Sequence, residues 1–103
     1  MRLSGAPRRL VAALSRRSGD RPTVGEICTR PWASANFAGT RHRLVLRFEG
    51  KDADRAVERM TDGIEDAEFD LGPDLLVDIA VIDRCRQSGC IEITLEALTI
   101  EGD

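Results

Sequence analysis

The sequence predicts an α+β fold. It is a two-layer sandwich in the order α-β-β-α-β-β, with a four-stranded, mostly antiparallel sheet and both helices on one face. Three observations predict it. Apolar residues recur at helical spacing over 1–19 and 52–69. They alternate with polar residues over 23–48 and 75–101. Each alternating stretch is broken near its middle by a turn signal, Gly39-Thr40 in the first and Gln87-Ser88-Gly89 in the second. Two amphipathic helices and one half-buried sheet satisfy each other's apolar faces in a two-layer arrangement. At 103 residues the chain is a single domain. With one Trp, three Phe and no Tyr, its core must be aliphatic.

In the first helix Ser4 is placed to cap the N-terminus and Pro7 sits in the first turn. Leu3, Pro7, Leu10, Val11 and Leu14 form the apolar stripe, while Arg2, Arg9 and Arg16 recur on the other side. Arg16 and Arg17 suit the C-terminal end of the helix dipole, and Gly19 stops the helix. This Arg-rich, acid-free segment also has the composition of a transit peptide. The reading adopted is a helix integral to the domain.

In the first hairpin, period two puts Ile27, Thr29, Pro31, Ala33, Ala35 and Phe37 on one side, and Pro31 marks an edge strand. A two-residue turn at Gly39-Thr40 then sets Phe37 opposite His42, Ala35 opposite Leu44 and Ala33 opposite Leu46. The other face receives Asn36 beside Arg43, Ser34 beside Val45 and Trp32 beside Arg47. His42, Leu44, Leu46 and Phe48 point to the core.

The second helix starts at an Asp52 N-cap and runs over 52–69, with Ala53, Ala56, Val57, Met60, Ile64 and Ala67 at helical spacing. Gly63 inside it weakens it by about 1 kcal/mol relative to Ala. In the second hairpin a three-residue turn with Gly89 left-handed sets Arg84 opposite Glu92, Val81 opposite Leu95 and Ile79 opposite Ala97. Its core face is Val77, Ile79, Val81, Ile91, Ile93 and Leu95, and Asp83 faces inward. The crossover helix places the two hairpin turns at opposite ends of the sheet.

Charge divides the chain. Residues 1–48 hold ten arginines against Asp20 and Glu26, a charge of +8; the remainder carries −11, giving the net −3. One core needs both halves, so folding itself brings opposite charges into contact range. Self-neutralisation, within a chain or between copies, is the expectation for these arginines. The alternative is an anion-binding surface for nucleic acid built on Arg9, Arg16 and Arg17. A pI near 5.2 and the lack of interleaved aromatics stand against it. Engagement of Arg8, Arg16, Arg43 or Arg47 by Glu58, Glu65, Glu92 or Glu96 lowers that alternative further.

No chemistry-bearing motif is present: no phosphate-cradling Gly-rich loop, no HExxH, no GxSxG. Cys85 and Cys90 are too far apart in sequence for a zinc knuckle and have no second pair; Cys28 is compatible with their end of the sheet, while His42 lies at the other. No metal and no cofactor is expected. The single histidine, His42, reads as a structural residue at the core's margin, so no catalytic residue is assigned. A small enzyme of unknown reaction is the third reading, to be judged by whether a pocket holds His42 or Asp83 with a second polar group. Three cysteines, an odd count, fit free thiols in the cytoplasm. No apolar run approaches the roughly eighteen residues of a membrane span.

What remains is the sheet face that the helices leave open. It should carry Trp32, Val45, Ile82, Leu98 and Ile100 among Arg43, Arg47, Arg84, Glu92 and Glu96. This mixture is neither plainly solvated nor plainly buried. A solvated sheet with scattered apolar residues is one reading; the reading adopted is a non-catalytic module acting through protein–protein contacts, its partner a second copy of the chain, by sheet-on-sheet or edge-to-edge contact. The interaction residues expected are Trp32, Arg43, Arg47, Arg84 and Glu92.

Overall fold

The structure, a computed structural model, describes residues 5–101. The elements are α1 (Gly5–Ser18), β1 (Thr23–Ala33), β2 (Ala38–Glu49), α2 (Ala53–Thr61), a 3-10 turn (Ile64–Asp66), β3 (Asp74–Gln87) and β4 (Cys90–Glu101). The order α-β-β-α-β-β is the one expected. The expected cap Ser4 and the stripe residue Leu3 lie outside the described residues. All strand pairs are antiparallel, and the sheet order is β1-β2-β4-β3. The crossover through α2 carries the chain from β2 past one strand position, and β4 then fills the gap. The two hairpin turns therefore sit at opposite ends.

One aliphatic core joins both helices to one sheet face. Leu10 and Leu14 of α1 and Val57 and Met60 of α2 pack with Leu44, Leu46, Phe48, Ile79, Ile93 and Leu95. Each such fully buried side chain contributes about 1.5–3 kcal/mol of transfer free energy. Arg17 ties the helices together: its Nε donates to the Met60 carbonyl at 2.9 Å and its terminal nitrogen donates to the Asp62 carbonyl. These are carbonyls of the last turn of α2, which have no partner within the helix.

Several expectations about local geometry are corrected. The first turn is made by Ala35 and Asn36, closed by the Ser34 N–H donating to the Phe37 carbonyl at 2.8 Å, and not by Gly39-Thr40. Ala33 thus pairs with Ala38, Cys28 with Arg43 and Trp32 with Gly39, in place of Ala33 with Leu46 and Trp32 with Arg47. This slip has even parity, so Ile27 still faces inward and His42, Leu44, Leu46 and Phe48 are buried as expected. A bulge between Val24 and Ile27 brings Val24 inward as well. Phe37 ends up in the turn, 58% exposed.

The second helix ends at Thr61. Gly63 adopts a left-handed φ of 63° and breaks the expected 52–69 helix into α2 and the 3-10 turn. Asp52 occupies the N-cap position without a side-chain capping bond.

The second hairpin closes with a two-residue turn, Ser88-Gly89, since Gln87 pairs with Cys90; Gly89 has the left-handed φ expected of it. Val81 opposite Leu95 and Ile79 opposite Ala97 hold. Register shifts between Leu76 and Asp78 and between Val81 and Asp83 flank this stretch. Each bulge adds one residue and reverses the faces beyond it. Leu76, not Val77, packs on the core, and Val77 is 53% exposed. Asp83 turns outward, exposed, and its carboxylate accepts the Arg84 N–H at 2.8 Å.

Candidate interaction face

Alternation along β2 and β4 defines the face opposite the helices. Between the buried residues of β2 stand Arg41, Arg43, Val45 and Arg47, and between those of β4 stand Cys90, Glu92, Thr94 and Glu96. β2 and β4 are neighbours, so Arg43 is directly opposite Glu96 and Arg47 directly opposite Glu92. Both pairs close as ion pairs, each at 2.6 Å. Arg43 uses both Nε and a terminal nitrogen on the same Glu96 oxygen. The hydrogen bond and charge of Glu96 hold the Arg43 guanidinium above its ordinary pKa, and Glu92 does the same for Arg47.

On the β1 side Arg30 stands directly opposite Arg41, and Cys28 opposite Arg43. A hollow of about 90 Å³ lies among Cys28, Arg30, Arg41, Arg43 and Glu96. On the β3 side Leu75 and Ile82 are 56% and 45% exposed and Val77 lies between them; of the adjoining β4 residues Ile100 is half-buried and Leu98, expected on the open face, is 8% exposed. Trp32 is half-buried at the far corner, opposite Gly39.

Of the expected interaction residues, Trp32, Arg43, Arg47 and Glu92 therefore share the open face. Arg84 does not. It pairs with Ile93, a core-facing position, and shares a surface cavity with Glu58, Thr61 and Asp62 of the α2 region. The bulge after Val81 moves it there, so Cys85, not Arg84, stands opposite Glu92. Arg30, Arg41 and Leu75 belong to the face and were not singled out from sequence; Val77, expected on the core side, and Asp78 belong to it too. Their signal, like charge and apolar alternation along edge strands, was present, but their cross-strand company depends on strand order.

The three arginines of the alternative anion site have different surroundings. Arg9 lies 3.5 Å from Asp74, and Arg17 is spent on helix carbonyls. Arg16 is exposed and has no ion pair among the described residues. Arg86 pairs with Asp54.

Cys28 sits beside His42's end of the sheet, not with Cys85 and Cys90. All three thiols are free, and no group of three His, Cys, Asp or Glu able to hold a metal exists among the described residues. His42 is buried, with Nε2 2.9 Å from Thr99 Oγ1 and Nδ1 without a partner among the described residues. Burial lowers its pKa below 6.5, against a raising influence of Asp74. It lines an open cavity of about 590 Å³ with Thr40, Asp74, Thr99 and Glu101. The cavity thus meets the condition of a second polar group near His42; among the described residues its lining offers Thr and carboxylate side chains and no Ser or Cys.

No helix among the described residues is long and apolar enough to cross a membrane. Comparison with known protein families and with curated proteins finds no match for this chain.

Proposed function

We propose that this chain is a non-catalytic assembly module that acts through protein–protein contact, associating with its own kind in the cytoplasm through the open face of its sheet. One observation carries the reading: Leu75 and Val77, 56% and 53% exposed, lie on the open side of β3 next to half-buried Ile100, and Ile82, 45% exposed, lies further along the same strand. Exposed aliphatic side chains on the face of a small domain favour a contact site, because leaving them in water forgoes about 25 cal/mol per Å². The central Arg43–Glu96 and Arg47–Glu92 pairs give the face a polar strip without net charge. That arrangement tolerates a protein partner better than a phosphate backbone. Free cysteines support a reducing compartment.

The test is size-exclusion chromatography with light scattering. A dimer at tens of micromolar is expected, and Leu75→Glu with Val77→Glu should return it to monomer while leaving the circular dichroism spectrum unchanged. A wild-type monomer throughout that range overturns the reading. A gel shift with random DNA and RNA at low salt decides the nucleic-acid alternative: strong, salt-sensitive retardation would establish it in place of the assembly reading.

A further inference from the structure

The pairing register levels the open face into rungs, one position per strand. One rung runs Trp32, Gly39, Ile100, Leu75. The next runs Arg30, Arg41, Leu98 and then Asp78, with Val77 beside it in the bulge. The third runs Cys28, Arg43, Glu96, Ala80. On each rung the β1 end and the β3 end differ in kind: aromatic against aliphatic, basic against acidic, thiol against methyl.

The middle rung is unbalanced. Arg30 and Arg41 are like charges directly opposite one another, which destabilises a sheet. The carboxylate that shares their hollow, Glu96, is engaged by Arg43. At the far end of the same rung Asp78 is exposed, and none of Arg30, Arg41 and Asp78 has an ion pair among the described residues.

We infer that a second copy of the chain covers this face, related by a two-fold axis parallel to the strands and passing between β2 and β4. This inference rests on the self-association reading and fixes its geometry. Such a rotation keeps every rung level and reverses the strand order, so that β3 of one copy lies over β1 of the other. Asp78 then faces the partner's Arg30, with the partner's Arg41 one strand further in, over Leu98; Leu75 faces the partner's Trp32, and Ala80 faces the partner's Cys28. Each contact occurs twice, as an isologous interface requires.

The other in-plane two-fold, perpendicular to the strands, lays β1 on β1 and β3 on β3, setting basic edge on basic edge. Edge-to-edge pairing is opposed by the bulges in both edge strands and by Pro31 in β1. Face-to-face sheets pack about 10 Å apart with strands within about 30° of parallel, so the rungs stay nearly matched. Four strands spaced about 4.8 Å, each roughly 40 Å long, offer on the order of 700 Å² per copy, close to the roughly 800 Å² of a standard interface.

The experiment combines cross-linking with charge exchange. In a Cys85→Ser, Cys90→Ser background, Ala80→Cys should yield a disulfide-linked dimer under oxidised glutathione, and adding Cys28→Ser should abolish it. Arg30→Glu and Asp78→Arg should each weaken dimerisation by about tenfold or more, and the double variant should recover most of the loss. If the chain is dimeric and Val77→Glu dissociates it, yet position 80 does not link to Cys28 and the double variant does not recover, the strand-parallel two-fold is overturned while open-face association stands. A chain that is monomeric throughout overturns both.

Discussion

His42 and Thr99 share a buried side-chain hydrogen bond between β2 and β4, with Nε2 2.9 Å from Oγ1. Thr99 Oγ1 also lies 3.5 Å from the Thr40 carbonyl, the oxygen to which its hydroxyl donates. Thr99 Oγ1 is then free to accept from a neutral imidazole protonated at Nε2. The second ring nitrogen is left as an acceptor without a partner among the described residues.

A pH dependence follows from that burial. The folded-state pKa of His42 is lowered from 6.5 because burial penalises the imidazolium, and Asp74 offsets this only in part. Between the folded value and 6.5 the unfolded chain binds more protons than the folded one. The contribution to stability is therefore complete above pH 6.5 and is lost as pH falls through 6.5 toward the folded value. Urea unfolding from about pH 7.5 to about pH 5.5 should show this decline, and His42→Gln should flatten it. As the chain has one histidine, its imidazole titration by NMR reads the midpoint directly, and a midpoint at or above 6.5 would contradict the account.

Gly39 is held by close approach of two strands. A Cβ there would lie 2.2 Å from the Thr99 carbonyl oxygen and 2.9 Å from a methyl group of Ile100. The obstacle is backbone, so it cannot swing aside. Gly39→Ala should cost about 1–3 kcal/mol in denaturant unfolding, as overpacking does. A loss below about 0.5 kcal/mol would show that β2 and β4 are more widely spaced at this point.

At Gly63 the sequence and the structure predict opposite signs. Inside a continuous helix over 52–69, Gly63→Ala would add about 1 kcal/mol of stability. With φ at 63°, the same change forces a Cβ into the left-handed region and should cost about 1 kcal/mol or more. Gly63→Asn should be milder, since Asn tolerates that conformation. A single thermal melt of Gly63→Ala separates the two.

The helices, the strands and the buried face were legible because each rests on a repeat within one segment. Leu10 and Leu14, or Leu44, Leu46 and Phe48, need only their own spacing to be placed. Gly39 misled because glycine serves turns and close strand contacts alike, and the contact here is with β4, remote in sequence. Ala35-Asn36 carried a weaker turn signal and won because extending β2 through Gly39 adds pairing to Thr99 and Ile100. The bulges at Val77-Asp78 and Ile82-Asp83 left no mark in the alternation, and one unmarked residue was enough to move Arg84 to the helix side. The ion pairs of the open face needed β2 beside β4, a choice made by tertiary packing and not by either hairpin.

The cysteines provide a native footprint of the face. Cys28 pairs with Arg43, Cys85 with Glu92, and Cys90 alternates with the buried Ile91, so all three thiols are on the open side. Cys28 and Cys85 are exposed and Cys90 is half-buried. In dilute solution a neutral maleimide should modify Cys28 and Cys85 first and Cys90 more slowly. As the concentration rises into the dimeric range, a second sheet laid on this face should slow labelling both at Cys28, which would lie under the partner's β3, and at Cys85, which would lie under its β1. Association through the helices would leave all three rates independent of concentration. Edge pairing along β3 would slow Cys85 while sparing Cys28. Site-resolved mass spectrometry after brief labelling distinguishes these outcomes without altering a residue.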